Sequence, residues 1–134
     1  LKDGRVVCAL LDQDSNLTNS FAPFFGIQAA SPSGPIQLAI RHKVPLFTSF
    51  IVRTSPLEHR IETVEIPYDP NDQQAAQKAL EVYNQRLESF ILRYPDQWIW
   101  WHRRWRRRPN VNYKEQPELL RSTEEYIKWL DSAV

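Results

Sequence analysis

Hydrophobic and polar positions follow several different rhythms along the 134 residues. From Val6 to Leu11 the chain is continuously apolar and then turns to Asp-Gln-Asp. That is the pattern of a strand buried on both faces, with its polar groups just past its carboxyl end, and it favours a parallel sheet. The next stretch, NSFAPFFGIQAASPSG, carries two prolines, two glycines and small polar residues, and reads as a long, partly apolar loop. Ser33 can cap a short helix with Ile36, Leu38, Ala39 and Ile40 as its apolar positions. VPLFTSFIV, rich in β-branched and aromatic residues, predicts a second buried strand ending at Arg53, and HRIETVEIP predicts a third, more exposed one. Strand, helix and strand in that order imply a right-handed crossover. The clearest periodicity begins at DPND, with Asp69 as cap and Pro70 in the first turn. Ala76, Ala79, Leu80, Tyr83, Leu87, Phe90, Ile91 and Tyr94 then recur at helical spacing. Pro95 ends that helix and can start another up to Pro109, with Trp98, Trp101 or His102, and Trp105 on one side. A last amphipathic helix is predicted within Pro117 to Val134, from Leu119, Leu120, Ile127, Leu130 and Val134.

Composition narrows this picture. The length suits one domain, able to bury roughly two thirds of the surface its unfolded form would expose. The single cysteine, Cys8, excludes an internal disulfide and reads as a small buried hydrophobe. The apolar runs at Val6–Leu11 and Val44–Val52 fall short of the roughly 20 residues that cross a bilayer, and LKDGR has no signal-peptide plan, so the chain as given reads as soluble. It contains no methionine and opens with LKDG leading straight into a strand-like run, so it also reads as a piece of a longer polypeptide. A sheet deprived of earlier strands would leave an open edge and apolar surface, which predicts dimerisation or swapping.

Charge is the more informative quantity. The net charge is only +1, yet YPDQWIWWHRRWRRRP, Tyr94 to Pro109, holds four of the five tryptophans and five arginines. Local positive charge usually faces an anion. Nucleic-acid binding is weakly supported, because such proteins spread basic residues over a whole face. Two other readings stay open: tryptophans in the core with arginines solvated or paired, and an anionic lipid or phosphorylated group met at a membrane surface. Asp12 and Asp14 lie where α/β folds gather their chemistry, although turns attract aspartate for their own geometry. Ser33 and Gly34 open a helix whose amide end could take an anion or be ordinarily capped. Arg53, ending a strand, could pair with Asp12 or Asp14 or meet a substrate. His42, His59 and His102 lack metal-ligand spacing, and neither a nucleophile elbow nor a glycine-rich phosphate loop is present, so no metal or bound cofactor is expected.

LLDQD, APFFG, SPSGPIQLA, VPLFTSFIVR and YPDQWIWWHRRWRRRP, in that order and spacing, resemble the C-terminal half of the lipid A biosynthesis acyltransferases, the late lauroyl and myristoyl transferases. The most specific piece is PDQWIWWHRRWRRRP. The resemblance implies an α/β class, a partial glycerolipid-acyltransferase-like fold with a mixed or parallel sheet flanked by helices. It assigns residues 1–109 to the acyltransferase domain and 110–134 to a linker and terminal amphipathic helix. It further implies transfer of a fatty acyl chain from acyl carrier protein, or a coenzyme A thioester, to a hydroxyl of a glycolipid acceptor, the lipid A precursor. The full-length protein would work at the membrane surface, on the cytoplasmic face of the bacterial inner membrane. In that superfamily a histidine followed five positions on by an acid is the base; here His42 is followed by Phe47, His59 by Val64 and His102 by Arg107, so the base is not in this sequence and the chain alone is expected to be inactive. The resemblance implies substrate-facing roles for Asp12 and Asp14 at the sheet rim and for Phe24, Phe25 and Gly26 as a bend and apolar wall. It likewise implies anion contacts for Ser33, Gly34 and Arg53, and a structural or substrate-facing signature in His102, Arg103 and Arg104, with Arg106 to Arg108 near headgroups. The rival readings are a non-enzymatic module using a Trp/Arg helix, and, within the class, an acyltransferase of phosphatidylinositol mannosides.

Overall fold

A computed structural model describes residues 4–14, 19–112, 114–116 and 123–133. The architecture is α/β: strands β1 (Asn19–Phe24) and β2 (Ile27–Pro32), helix α1 (Gly34–His42), strands β3 (Phe47–Ser55) and β4 (Glu58–Glu65), helix α2 (Ala75–Arg93) and a terminal helix α3 (Thr123–Ala133). The strands form two separate antiparallel hairpins, β1 with β2 and β3 with β4. The expected parallel pairing is therefore absent among the described residues, and no crossover runs from Val6–Leu11 through α1 to β3, because Val6–Leu11 forms no strand and β3 pairs with β4 across a tight turn.

The first hairpin occupies the stretch whose prolines and glycines suggested a loop. Phe25 and Gly26 both take positive φ, 50° and 79°, the backbone twist that a two-residue hairpin turn needs. Pro23 is tolerated because it is exposed on a strand of a two-stranded sheet, where a missing N–H is not missed. Ala22, Ala29 and Ala30 are small enough to bring the hairpin backbone close to the core and are wholly buried.

Val6–Leu11, predicted as a doubly buried strand, is not a strand, and only Leu11 enters the core. A doubly buried strand needs structure packed on both of its faces, and among the described residues Val6–Leu11 pairs with neither hairpin. Val6, Val7 and Leu10 are exposed, and so is Cys8, contrary to the expectation of burial.

α2 is the organising element. Its Ala79, Leu80, Leu87 and Ile91 are buried at helical spacing, the first two with Leu11, Ala22, Ile36 and Ile66, the last two with Phe24 and Ala29. It starts later than the Asp69 cap predicts, because Asp69 and Asp72 accept from the N–H groups of Asn71 and Gln74 and close turns ahead of the helix. Arg86 reaches from α2 to the carbonyls of Val64 and Glu65 at 3.0 and 2.8 Å, pinning β4. α1 occupies the predicted stretch, although the Ser33 side chain makes no capping bond and Leu38 is exposed, and it ends on Lys43 in the left-handed region, φ 52°, with Arg41 complementing the carboxyl end of the helix dipole. Of the predicted terminal helix, residues 117–122 and 134 lie outside the described residues.

Candidate functional site

After Pro95–Gln97, a single 3-10 turn, the segment to Pro109 runs as a chain of turns, not as the predicted helix. The reason lies in its long-range bonds. Trp98 and Trp105 lie against the Phe24 ring at centroid distances of 6.3 and 5.4 Å, and Trp105 Nε1 donates to the Phe24 carbonyl at 3.1 Å. Arg104 donates to the Ala30 carbonyl and, at 2.6 Å, to Ser31 Oγ, while its guanidinium sits 5.0 Å from the Phe24 ring centroid. His102 Nε2 accepts the backbone N–H of Asp14 at 2.9 Å. A helix would turn several of these groups away from the hairpin; the turns spread them across it.

Arg104 is 1 % exposed, which makes it the largest fully buried side chain described. Burial lowers its pKa, opposed by the Tyr83, Asp14 and Asp12 oxygens, yet a guanidinium stays charged. The structure therefore places this arginine as an internal strut under β2. Asp14 is the anionic counterpart: its buried carboxylate takes Arg106 Nε at 3.0 Å and faces Arg107 Nε at 3.6 Å. Arg108 lies 3.9 Å from Glu125 and over the Trp129 ring, tying α3 to the same segment. Of the arginines expected near headgroups, Arg106 and Arg107 face the buried Asp14 carboxylate and Arg108 lies by the exposed Glu125.

Electrostatics at the junction favour a neutral imidazole. Burial pushes the His102 pKa below its ordinary value, with the Arg104 and Arg106 charges adding to that effect and Asp14 and Asp12 opposing it. Tyr83, from α2, is pushed well above its usual range, first by burial and then by the Asp12 charge. With Nε2 occupied by the Asp14 amide, neutral His102 carries its proton on Nδ1.

The candidate residues fall into three groups. Asp14, Phe24, His102 and Arg104 come together as described, with Asp12 half-buried beside them and acting electrostatically on Tyr83, His102 and Arg104. Phe24 is buried, so it packs the core and offers no open wall; Phe25 and Gly26 make the turn, and the Phe25 N–H donates to Glu88 at 2.7 Å. Ser33 is buried and its hydroxyl accepts from Ser20 Oγ and Gln37 Nε2 at 2.9 and 3.0 Å, leaving exposed Gly34 as the open end of α1. Arg53 is the outlier. Its side chain lines a separate recess with His59 and Asp96, and its expected pairing with Asp14 is replaced by the Arg106 and Arg107 contacts. Arg103 lines an open recess of about 420 Å³ with Gln13, Ile99, Trp101, His102 and Arg106.

Three residues that the sequence reading left aside help position the site. Asn84 and Glu88, one helical turn apart on the inward side of α2, hold the Pro23 carbonyl and the Phe25 amide. Gln97 joins both its side-chain amide atoms to the Arg53 backbone, at 2.8 and 3.1 Å. Polar residues breaking the apolar stripe of a strong helix were the available signal for the first two; Gln97 lay inside the PDQWIWWHRRWRRRP signature but was given no role there. No group of three or more potential metal ligands occurs among the described residues.

Comparison with known proteins completes the picture. Residues 1–107 match the family model described as bacterial lipid A biosynthesis acyltransferase. The chain is 33 % identical over 113 residues to the lipid A biosynthesis palmitoleoyltransferase of Escherichia coli strain K12, covering 81 % of this chain and 36 % of that protein. The same identity and coverage hold for the lipid A biosynthesis acyltransferase of Shigella flexneri. The chain thus spans about a third of the length of these relatives, matching 36 % of each.

Proposed function

The chain belongs to the bacterial lipid A biosynthesis acyltransferases, and from that membership we propose that the whole protein transfers a fatty acyl group to a hydroxyl of a lipid A precursor. The donor is a thioester of acyl carrier protein or of coenzyme A. The reaction takes place at the cytoplasmic face of the bacterial inner membrane. The observation that carries this reading is the family match over residues 1–107, which includes the Trp/Arg stretch that braces the first hairpin.

Acyl transfer of this kind needs a base within hydrogen-bond reach of the acceptor hydroxyl. The described residues argue against locating it among themselves. The lone pair of His102 is engaged by the Asp14 amide, and His42 and His59 are exposed on α1 and β4 without a carboxylate bonded to them among the described residues. In our reading the base belongs to polypeptide outside the described residues, and these residues supply the brace that shapes one side of the substrate cleft. Asp12 and the Arg103 recess face that cleft, and Gly34 and Arg53 meet an anionic group of donor or acceptor. His102, Arg104 and Phe24 act as positioning residues behind it. Among the described residues the Trp/Arg segment is a chain of turns, so the rival non-enzymatic module would act through those turns instead of through a helix.

The test is an acyl-transfer assay on the full-length protein, read by mass spectrometry of the lipid product. Acyl carrier protein and coenzyme A donors are compared, each with lauroyl, myristoyl and palmitoleoyl chains. Lipid A precursor and phosphatidylinositol mannoside are the two acceptors. Acylated lipid A precursor with one donor class is expected; product only on the mannoside, or on neither, overturns the proposal. The 134-residue chain assayed alone should give no product, and turnover by it would move the base into these residues.

A further inference from the structure

β3 is irregular near its end. Arg53 stands opposite His59, but the next matched pair is Ser55 with Glu58, so Thr54 is an extra residue and the strand bulges there. Bulges of this kind re-aim a side chain, and they gather beside functional sites. This one is clamped. The Gln97 side chain accepts from the Arg53 N–H at 2.8 Å and donates to the Arg53 carbonyl at 3.1 Å, taking the place of a neighbouring strand. The Arg53 guanidinium so held makes no hydrogen bond or ion pair among the described residues, in contrast to Arg60, Arg86, Arg93 and Arg104. The imidazole of its cross-strand neighbour His59 and the Ser55 hydroxyl likewise make none. All three line one open recess of about 760 Å³, with Ile51 and Pro56 as an apolar wall and Asp96 as the acid.

Resting on the acyltransferase reading above, in which Arg53 meets an anionic group, we propose that Arg53, His59 and Ser55 form a binding site for a phosphate ester, with Gln97 as the positioning residue that fixes it. Directly opposed cross-strand residues have Cβ atoms about 4.5–5.5 Å apart. A guanidinium and an imidazole at that spacing bring N–H donors to the same small volume and gain nothing from each other. An anion between them satisfies both. Phosphate suits the recess better than carboxylate because its donors come from three residues on two strands, Arg53 and Ser55 on β3 and His59 on β4. A tetrahedral phosphate presents oxygens in several directions, whereas a carboxylate presents two in one plane. Ile51 and Pro56 then lie beside the organic part that carries the phosphate. The proposed reaction offers two sources of such an ester: the phosphopantetheine arm common to acyl carrier protein and coenzyme A thioesters, and a phosphorylated sugar of the acceptor. Asp96 opposes an anion, and that makes it a probe of the sign of the site.

The test measures binding to the full-length protein by isothermal titration, without turnover. The probes are inorganic phosphate, 4′-phosphopantetheine and glucosamine 1-phosphate, with acetate as the carboxylate control. Arg53→Gln is expected to weaken the best-bound probe about tenfold or more, the loss of a charge-assisted hydrogen bond. His59→Gln and Gln97→Ala should each weaken it about threefold, and Asp96→Asn should tighten it about twofold. Tighter binding of phosphopantetheine assigns the site to the donor, and tighter binding of the sugar phosphate assigns it to the acceptor. The proposal is overturned if no probe binds, if the Arg53 and Asp96 changes leave affinity unmoved, or if acetate binds as tightly as phosphate. Arg53 and Asp96 are exposed, so their variants should unfold at the parental urea midpoint. Should Arg53→Gln not fold, Arg53→Lys keeps the charge without the planar fork and is expected to weaken binding about threefold. Acyl transfer is assayed alongside. Phosphate bound through Arg53 with no acyl product removes the enzymatic reading and leaves the site standing, whereas acyl product with binding unchanged in Arg53→Gln does the reverse.

Discussion

Replacing Arg104 tests whether the charged signature is an internal strut. The side chain makes two hydrogen bonds to β2, at the Ala30 carbonyl and Ser31 Oγ, and lies against the Phe24 ring. Charge-assisted hydrogen bonds contribute about 1.5–3 kcal/mol each, so the pair is worth roughly 3–6 kcal/mol. The contact with the ring adds about 1–2 kcal/mol in a desolvated setting. Against this stands the cost of keeping a guanidinium out of water, several kcal/mol after relaxation. Arg104→Met removes all three terms and leaves the Ala30 carbonyl unpaired, and we expect a net loss of about 2–4 kcal/mol. Arg104→Lys keeps the buried charge but loses the planar fork that reaches both oxygens, and should be destabilised at least as much. Urea unfolding followed by tryptophan emission reads this directly, because Trp98 and Trp105 border the same ring. A methionine variant as stable as the parent, or a lysine variant that restores parental stability, would refute the reasoning: the first would mean the bonds contribute nothing net, the second that charge alone suffices.

Three further outcomes are expected. His102 has a folded-state pKa below its unfolded value because burial penalises the imidazolium; the unfolded chain therefore binds more protons in that window, and stability, full above about pH 6.5, falls as pH drops through the folded pKa. His102→Gln, which keeps an acceptor for the Asp14 amide, should flatten that segment of the urea-midpoint profile, and an unchanged slope counts against the assignment. Gln97→Ala should cost about 1 kcal/mol and speed hydrogen exchange at the Arg53 amide, its partner at 2.8 Å; unaltered exchange there would show the bond to be unimportant. The exposed Val6, Val7 and Leu10, together with the Ile51 and Ile61 pair on the outer face of the second hairpin, predict that the 134-residue chain self-associates in sedimentation velocity, and a monomer throughout the micromolar range refutes this.

Periodic signals carried the longer elements. α2 was legible because Ala79, Leu80, Leu87 and Ile91 repeat at helical spacing. β3 was legible as a strand because its β-branched run has no breaker, but its expected burial fails: Thr48 and Val52 are buried while Phe47 and Ile51 are exposed, and the strand runs past Arg53 to Ser55. The first hairpin was hidden because Pro23, Phe25 and Gly26 read locally as loop chemistry, while what stabilises the strands lies far off in sequence, in Asn84, Glu88 and Arg104. Val6–Leu11 misled for the opposite reason: hydrophobicity specifies a wish for burial but not the presence of neighbours. At the site, the resemblance picked out His102 and Arg104, and the question it left open was which way they face. Spacing could not answer that, since the segment's conformation is set by tertiary bonds that override its helical periodicity.

The bond between the Asp14 amide and His102 joins residues 88 positions apart. During synthesis at ~5–20 residues per second, the segment around Asp14 emerges from the ribosome roughly 4–18 s before its partner exists. Over that interval the carboxylate cannot be neutralised by Arg106 or Arg107, and the turn at Phe25 waits for Glu88. The nascent chain must therefore tolerate a prolonged half-assembled condition, in which a chaperone that shields apolar Val6–Leu11 would have its longest opportunity to act.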